Sequence, residues 1–133
     1  MKSIDVFNII SFEMFYRCLD NFPAPTFISR SDVASEVHNY ISGLSNAPSL
    51  QVLDEKVFHT GLWLRDEGYV TDKGSAGEGF SFVLSERGLA ALNTKPSSLS
   101  GGESFGDEIS KGLRDISVGV ASGLMIEFFK PFS

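Results

Sequence analysis

An α+β domain of three helices and a two-stranded ribbon, extended by a long C-terminal helix, is the fold this sequence predicts. Three observations predict it. Residues 54–67 are helical in spacing and stop at Gly68. Two short runs, Tyr69-Val70-Thr71 and Phe80-Ser81-Phe82-Val83-Leu84, flank a glycine-rich stretch and read as paired strands. From Asp107 to about Lys130, apolar residues again recur at three- and four-residue steps.

The first helix is expected from Ile4 to about Asp20. Ile4, Phe7, Ile10, Met14, Phe15, Cys18 and Leu19 form one stripe, and Val6, Ile9, Phe12 and Tyr16 widen it to most of the circumference. A helix this apolar is buried on two sides. Pro23 and Pro25 end it, because proline disfavours helix at the residue before it. Ser29-Arg30-Ser31-Asp32 supplies N-cap oxygens for a second helix, Val33 to about Ile41. The third helix runs from Val52 or Asp54 to Glu67. Its expected inner face is Val57, Phe58, Gly61, Leu62 and Leu64, with Glu55, Lys56, His59, Asp66 and Glu67 outward. Gly68 stands where a helix C-terminus wants a left-handed residue.

Lys73-Gly74-Ser75-Ala76-Gly77-Glu78-Gly79 offers the positive-φ positions of a hairpin tip. Ser85 opens a short helix through Leu92. Pro96, a cluster of serines and Gly101-Gly102 then mark a linker. The expected organisation is a domain over 1–95, a linker over 96–106 and a C-terminal helix over 107–131, closed by Pro131.

Composition narrows the function classes. The chain has 133 residues, 42% of them hydrophobic, which fits one globular domain. Phenylalanine occurs 12 times, so these rings need either a filled interior or a subunit contact. The net charge of −6 works against non-specific attraction to nucleic acid. One cysteine, Cys18, excludes an intramolecular disulfide and suits a reducing cytoplasm; no signal peptide is evident. No apolar run approaches the length that a membrane span requires.

Catalytic motifs are lacking. His38 and His59 fall on different helices without metal-ligand spacing, and no Gly-x-Ser-x-Gly elbow occurs. Glycines 74, 77 and 79 precede a strand, whereas a phosphate loop needs a helix N-terminus. Neither an enzyme nor a metal or other cofactor is expected.

Trp63-Leu64-Arg65-Asp66-Glu67-Gly68-Tyr69-Val70 and Leu84-Ser85-Glu86-Arg87-Gly88-Leu89-Ala90-Ala91-Leu92 resemble bacterial winged-helix proteins. In that superfamily a helix ends in Leu-x-x-x-Gly-Tyr-hydrophobic, and the wing returns into Leu-Thr-x-Lys-Gly-hydrophobic. The resemblance covers about residues 27–93. It implies a non-enzymatic recognition module, with the third helix entering a DNA major groove and the 73–79 tip beside the backbone. The recognition residues it implies are Lys56, His59, Thr60, Arg65 and Lys73. Two functions follow: a regulator-like DNA binder, or an acidic protein-interaction adaptor that does not bind DNA. Base readout favours Arg, Lys, Asn and Gln, and this helix offers few of them.

Gly112, Gly119 and Gly123 interrupt the terminal stripe, and a glycine inside a helix costs about 1 kcal/mol relative to alanine. Close approach of another backbone is the expected compensation. That backbone is the first helix of the same chain or another subunit; lying on a membrane is the weakest alternative. Gly119, Gly123, Leu124 and Phe128 are the residues expected to carry self-association.

Overall fold

The computed structural model describes residues 1–97 and 101–130. Helix α1, Ser3–Asn21, organises the rest. Its buried residues are Val6, Asn8, Ile9, Ile10, Ser11, Phe12, Glu13, Met14, Phe15 and Cys18, spread around the whole circumference. Such a helix needs partners on several sides, and it packs against four other helices and two strands. Burial raises the Cys18 thiol pKa to about 12, so it behaves as a small hydrophobe.

Strand β1, Thr26–Ser29, follows the two prolines. The sequence indicates only a cap there. Ser29 is indeed the N-cap of α2, Arg30–Ile41, its hydroxyl accepting from the Asp32 amide at 3.2 Å. Helix α3 spans Leu50–Asp66, capped by Ser49 on the Val52 amide, so it starts earlier than its apolar spacing indicated. Gly68, at φ +82, ends this segment as expected. Strands β2, Val70–Asp72, and β3, Gly79–Leu84, form the ribbon. Both pair antiparallel and the sheet order is β1-β3-β2, which makes β3 central. Phe80, Phe82 and Leu84 alternate inward from it. Helix α4, Glu86–Leu92, opens at Ser85, whose hydroxyl accepts from the Gly88 amide at 3.0 Å and donates to the Gly68 carbonyl at 2.5 Å.

The continuous helix expected over 107–131 is not formed. Three short elements replace it: α5, Phe105–Ile109; a 3-10 turn, Leu113–Asp115; and α6, Val118–Phe128. Gly112 breaks the run at φ +84, a conformation that a side chain would strain. Ser104 caps α5 in a reciprocal box with Asp107, and Ser117 caps α6. Of the expected linker, residues 98–100 lie outside the described residues, as does Pro131. Phe105 and Ile109 of α5 are buried against the core, so that part of the linker and helix belongs to the domain. Tyr40 fixes the segment further by donating to the Ile116 carbonyl at 2.6 Å.

The phenylalanine content is accounted for largely inside the chain. Phe15 and Phe128 stand 5.2 Å apart between α1 and α6, and Phe105 meets Phe128 at 5.2 Å. Phe80 covers α3 at Gly61, where an added Cβ would fall 2.3 Å from its ring. Replacing Gly61 by Ala is therefore expected to lower stability by about 1–3 kcal/mol, despite alanine's helical advantage of about 1 kcal/mol. Gly123→Ala, which meets open space on α6, is expected to raise it by up to about 1 kcal/mol. Chemical denaturation measures both; equal shifts at the two sites would contradict this packing.

Candidate interaction groove

Where α1 enters the fold, its first two turns lie beside the outward face of α3. Ser3, Ile4 and Phe7 on one side and Lys56, His59, Thr60 and Trp63 on the other line an open groove of about 450 Å³. On α3 these positions recur at three- and four-residue steps, so they share one face. The floor is fixed by rings. Phe7 meets Trp63 edge-on at 5.1 Å, and Phe129, just past α6, meets them at 5.2 and 5.5 Å. Tyr69 stacks behind Trp63 at 5.9 Å. Lys56 Nζ donates to Ser3 Oγ at 3.2 Å and ties the two walls together.

The expected recognition residues therefore divide. Lys56 and His59 stand in the groove. Thr60 does too, but it is 5% exposed and forms part of the buried face of α3, which corrects its placement as an outward contact. Arg65 is nine residues beyond Lys56, two and a half turns at about 100° per residue, hence on the opposite side of the helix. It lines a separate cleft below the ribbon with Arg30, Phe58 and Asp72, and pairs with Asp66 at 2.9 Å. Lys73 is exposed at the ribbon, where its main-chain N–H donates to the Ser81 carbonyl at 2.7 Å. These cations do not form one surface.

The remaining arginines are engaged as well. Arg17 pairs with Glu13 at 2.7 Å and Arg30 with Asp54 at 2.9 Å, the latter also lying over the Phe58 ring. Arg114 makes a two-pronged contact with Glu36 at 3.1 and 3.0 Å. Arg87 lies over Tyr69 and donates to the Glu67 carbonyl. A guanidinium matched to a carboxylate presents a dipole rather than a net charge to a distant phosphate.

The residues expected to carry self-association also divide. Leu124 and Phe128 are 6% and 8% exposed, packed within their own chain against the core that includes α1, which corrects their assignment to a subunit contact. Gly119 and Gly123 lie on the outer face of α6, where an added Cβ would meet nothing within 4 Å. Neither glycine admits a neighbouring backbone of its own chain. Val120 and Ile126 share that face, at 55% and 54% exposure.

Sequence inspection missed Ile4 and Phe7 as groove residues because both fit the buried stripe of α1. Trp63, the only tryptophan, was the available signal, since a large ring on a helix otherwise facing out seeks a neighbour. Among the described residues, no group of three His, Cys, Asp or Glu side chains is placed to hold a metal.

The ribbon tip is self-contained. Asp72 Oδ1 accepts from the Gly74 amide at 2.9 Å and from the Ser75 amide and hydroxyl at 2.8 Å each. Ser75 Oγ accepts in turn from the Ser81 amide at 3.1 Å. Of the tip glycines only Gly74, at φ +113, takes a positive φ. Gly79 is needed instead for close approach to the Ile28 carbonyl of β1.

The Ser75 hydroxyl, then the two amides, hold the Asp72 carboxyl below its ordinary pKa. A depressed folded pKa means that the tip's contribution is complete above the unfolded aspartate value, about 3.9. It is lost as pH falls through the lower folded value. The Ser75 amide resonance is expected to titrate with a midpoint below the ordinary aspartate value, and Asp72→Ala to abolish that titration. A midpoint at or above the ordinary value would contradict the hydrogen-bonded tip. Comparison with protein-family models, curated proteins and solved structures returns no match.

Proposed function

We propose that residues 3–92 form a winged helix and that it serves as a protein-interaction module. Support for the fold is the element order α1-β1-α2-α3-β2-β3, with β3 between β1 and β2 and the ribbon following α3. The motif resemblance over residues 27–93 points the same way. One observation carries the function: the outward face of α3 is the wall of an apolar groove, while every arginine is engaged within the chain. DNA binding gains most of its strength from unpaired cations arrayed along phosphates. Exposed Glu55, Asp66, Glu67 and Glu78 surround α3 and the ribbon instead.

DNA remains the competing reading through Lys73, which has no side-chain partner among the described residues. The chain is expected to leave random duplex DNA unretarded in a low-salt gel. Retardation that weakens with added salt and disappears in Lys73→Ala would favour the DNA binder.

The single buried thiol supports a reducing compartment, the cytoplasm. No helix among the described residues is long and apolar enough to cross a membrane. The open face of α6 supports self-association, with Gly119 and Gly123 letting a second backbone approach between Val120 and Ile126. Gly123→Leu is expected to lower the sedimenting mass by weakening that contact, and an unchanged mass would count against it.

A further inference from the structure

The groove between α1 and α3 is an open trough. Ile4 and Trp63 remain 55% and 39% exposed at its walls. A small ligand seated there would stay largely wet, whereas ligand pockets bury most of their occupant. The apolar surface also continues past the trough. Val52, 42% exposed, lies on the same face of α3 as Lys56, His59 and Trp63. From Val52 to Trp63 that face runs about three turns, or about 17 Å. A helical wall of this length, flanked by the first turns of α1 at Ser3, Ile4 and Phe7, matches a further helix laid along it.

Charge narrows the occupant. Of the titratable side chains lining the trough, Lys56 and His59 are both basic and none is acidic, on a chain of net charge −6. Asp5, in the same first turn of α1, is turned back onto the Lys2 amide at 3.0 Å. Two-fold pairing of this face with itself would bring basic side chains together with no acidic partner among the lining residues, so a second copy is disfavoured.

We propose that the trough receives an amphipathic helix of another protein, with apolar side chains against Ile4, Phe7 and Trp63 and acidic residues beside Lys56. This rests on the protein-interaction reading above and names the chemistry of the partner. The Lys56 Nζ contact to Ser3 Oγ, at 3.2 Å, holds the ammonium at the rim, where a glutamate on the incoming helix would meet it.

Trp63 is the sole tryptophan and reports directly on the site. Two synthetic helical peptides of about sixteen residues, with the same leucine stripe but flanked by glutamate or by lysine, are titrated into the whole chain. The glutamate-flanked peptide is expected to bind at least about tenfold more tightly, with the gap closing as salt is added. Lys56→Glu should reverse the preference. Ile4→Glu should abolish binding of both; its site is exposed, and circular dichroism checks that the fold survives. Equal affinity, or a preference for the lysine peptide, overturns the acidic partner while leaving a protein-binding groove. Binding of neither peptide overturns the helical occupant, and quenching of Trp63 by decanoate alone assigns the trough to a small amphiphile. Salt-sensitive retardation of duplex DNA by the same preparation overturns the underlying reading itself.

Discussion

Helix α1 is apolar around most of its circumference, and this constraint governs the arrangement of everything else. A stripe of one face could be satisfied by one neighbour. Ile9, Ile10, Phe12 and Phe15 are all fully covered although they point in different directions, so α1 must be enclosed. Helices α2 and α3, the sheet, α5 and α6 together supply the enclosure. The polar residues caught inside follow from it. Glu13 is 4% exposed and survives there through Arg17 at 2.7 Å, while burial raises its carboxyl pKa. Asn8 Nδ2 and Ser11 Oγ are buried there without a hydrogen-bond partner.

The groove is the place where this enclosure stops. The first turn of α1 emerges beside α3, leaving Ile4 uncovered and Trp63 half-covered by Phe7 and Phe129. The same geometry bears on the choice between nucleic acid and protein. A recognition helix for DNA needs its outward face free and cationic. Here α1 rises along that face and supplies apolar side chains. Arg65, the nearest arginine in sequence, is carried to the opposite side by the helical period and neutralised by Asp66.

Local chemistry was legible in the sequence, and long-range packing was not. Ser29, Gly68 and Ser85 act at the helix ends where their residue types indicate, because a cap is decided within three or four residues. The inward alternation of Phe80, Phe82 and Leu84 was likewise visible. Strand β1 is hidden because its four residues bury only Ile28, and it pairs with β3 residues far away in sequence, from Thr26 with Phe82 to Ser29 with Gly79. The break in the C-terminal segment is hidden for a different reason. Apolar spacing runs on through Gly112, whereas the caps at Ser104 and Ser117 divide the segment locally. Thr60 shows the limit of helical-wheel placement: it sits at the edge of the inner face, where the neighbouring α1 decides its burial.

The most direct test is native-state amide hydrogen exchange along α1. Enclosure on all sides predicts that amides from Ile9 to Cys18 exchange slowest in the chain and only through global unfolding, while those of the ribbon tip at Gly74–Gly77 exchange much faster. If the α1 amides opened at lower free energy than those of α3, the helix would be a peripheral arm. The groove it forms with α3 would then be no fixed part of the fold.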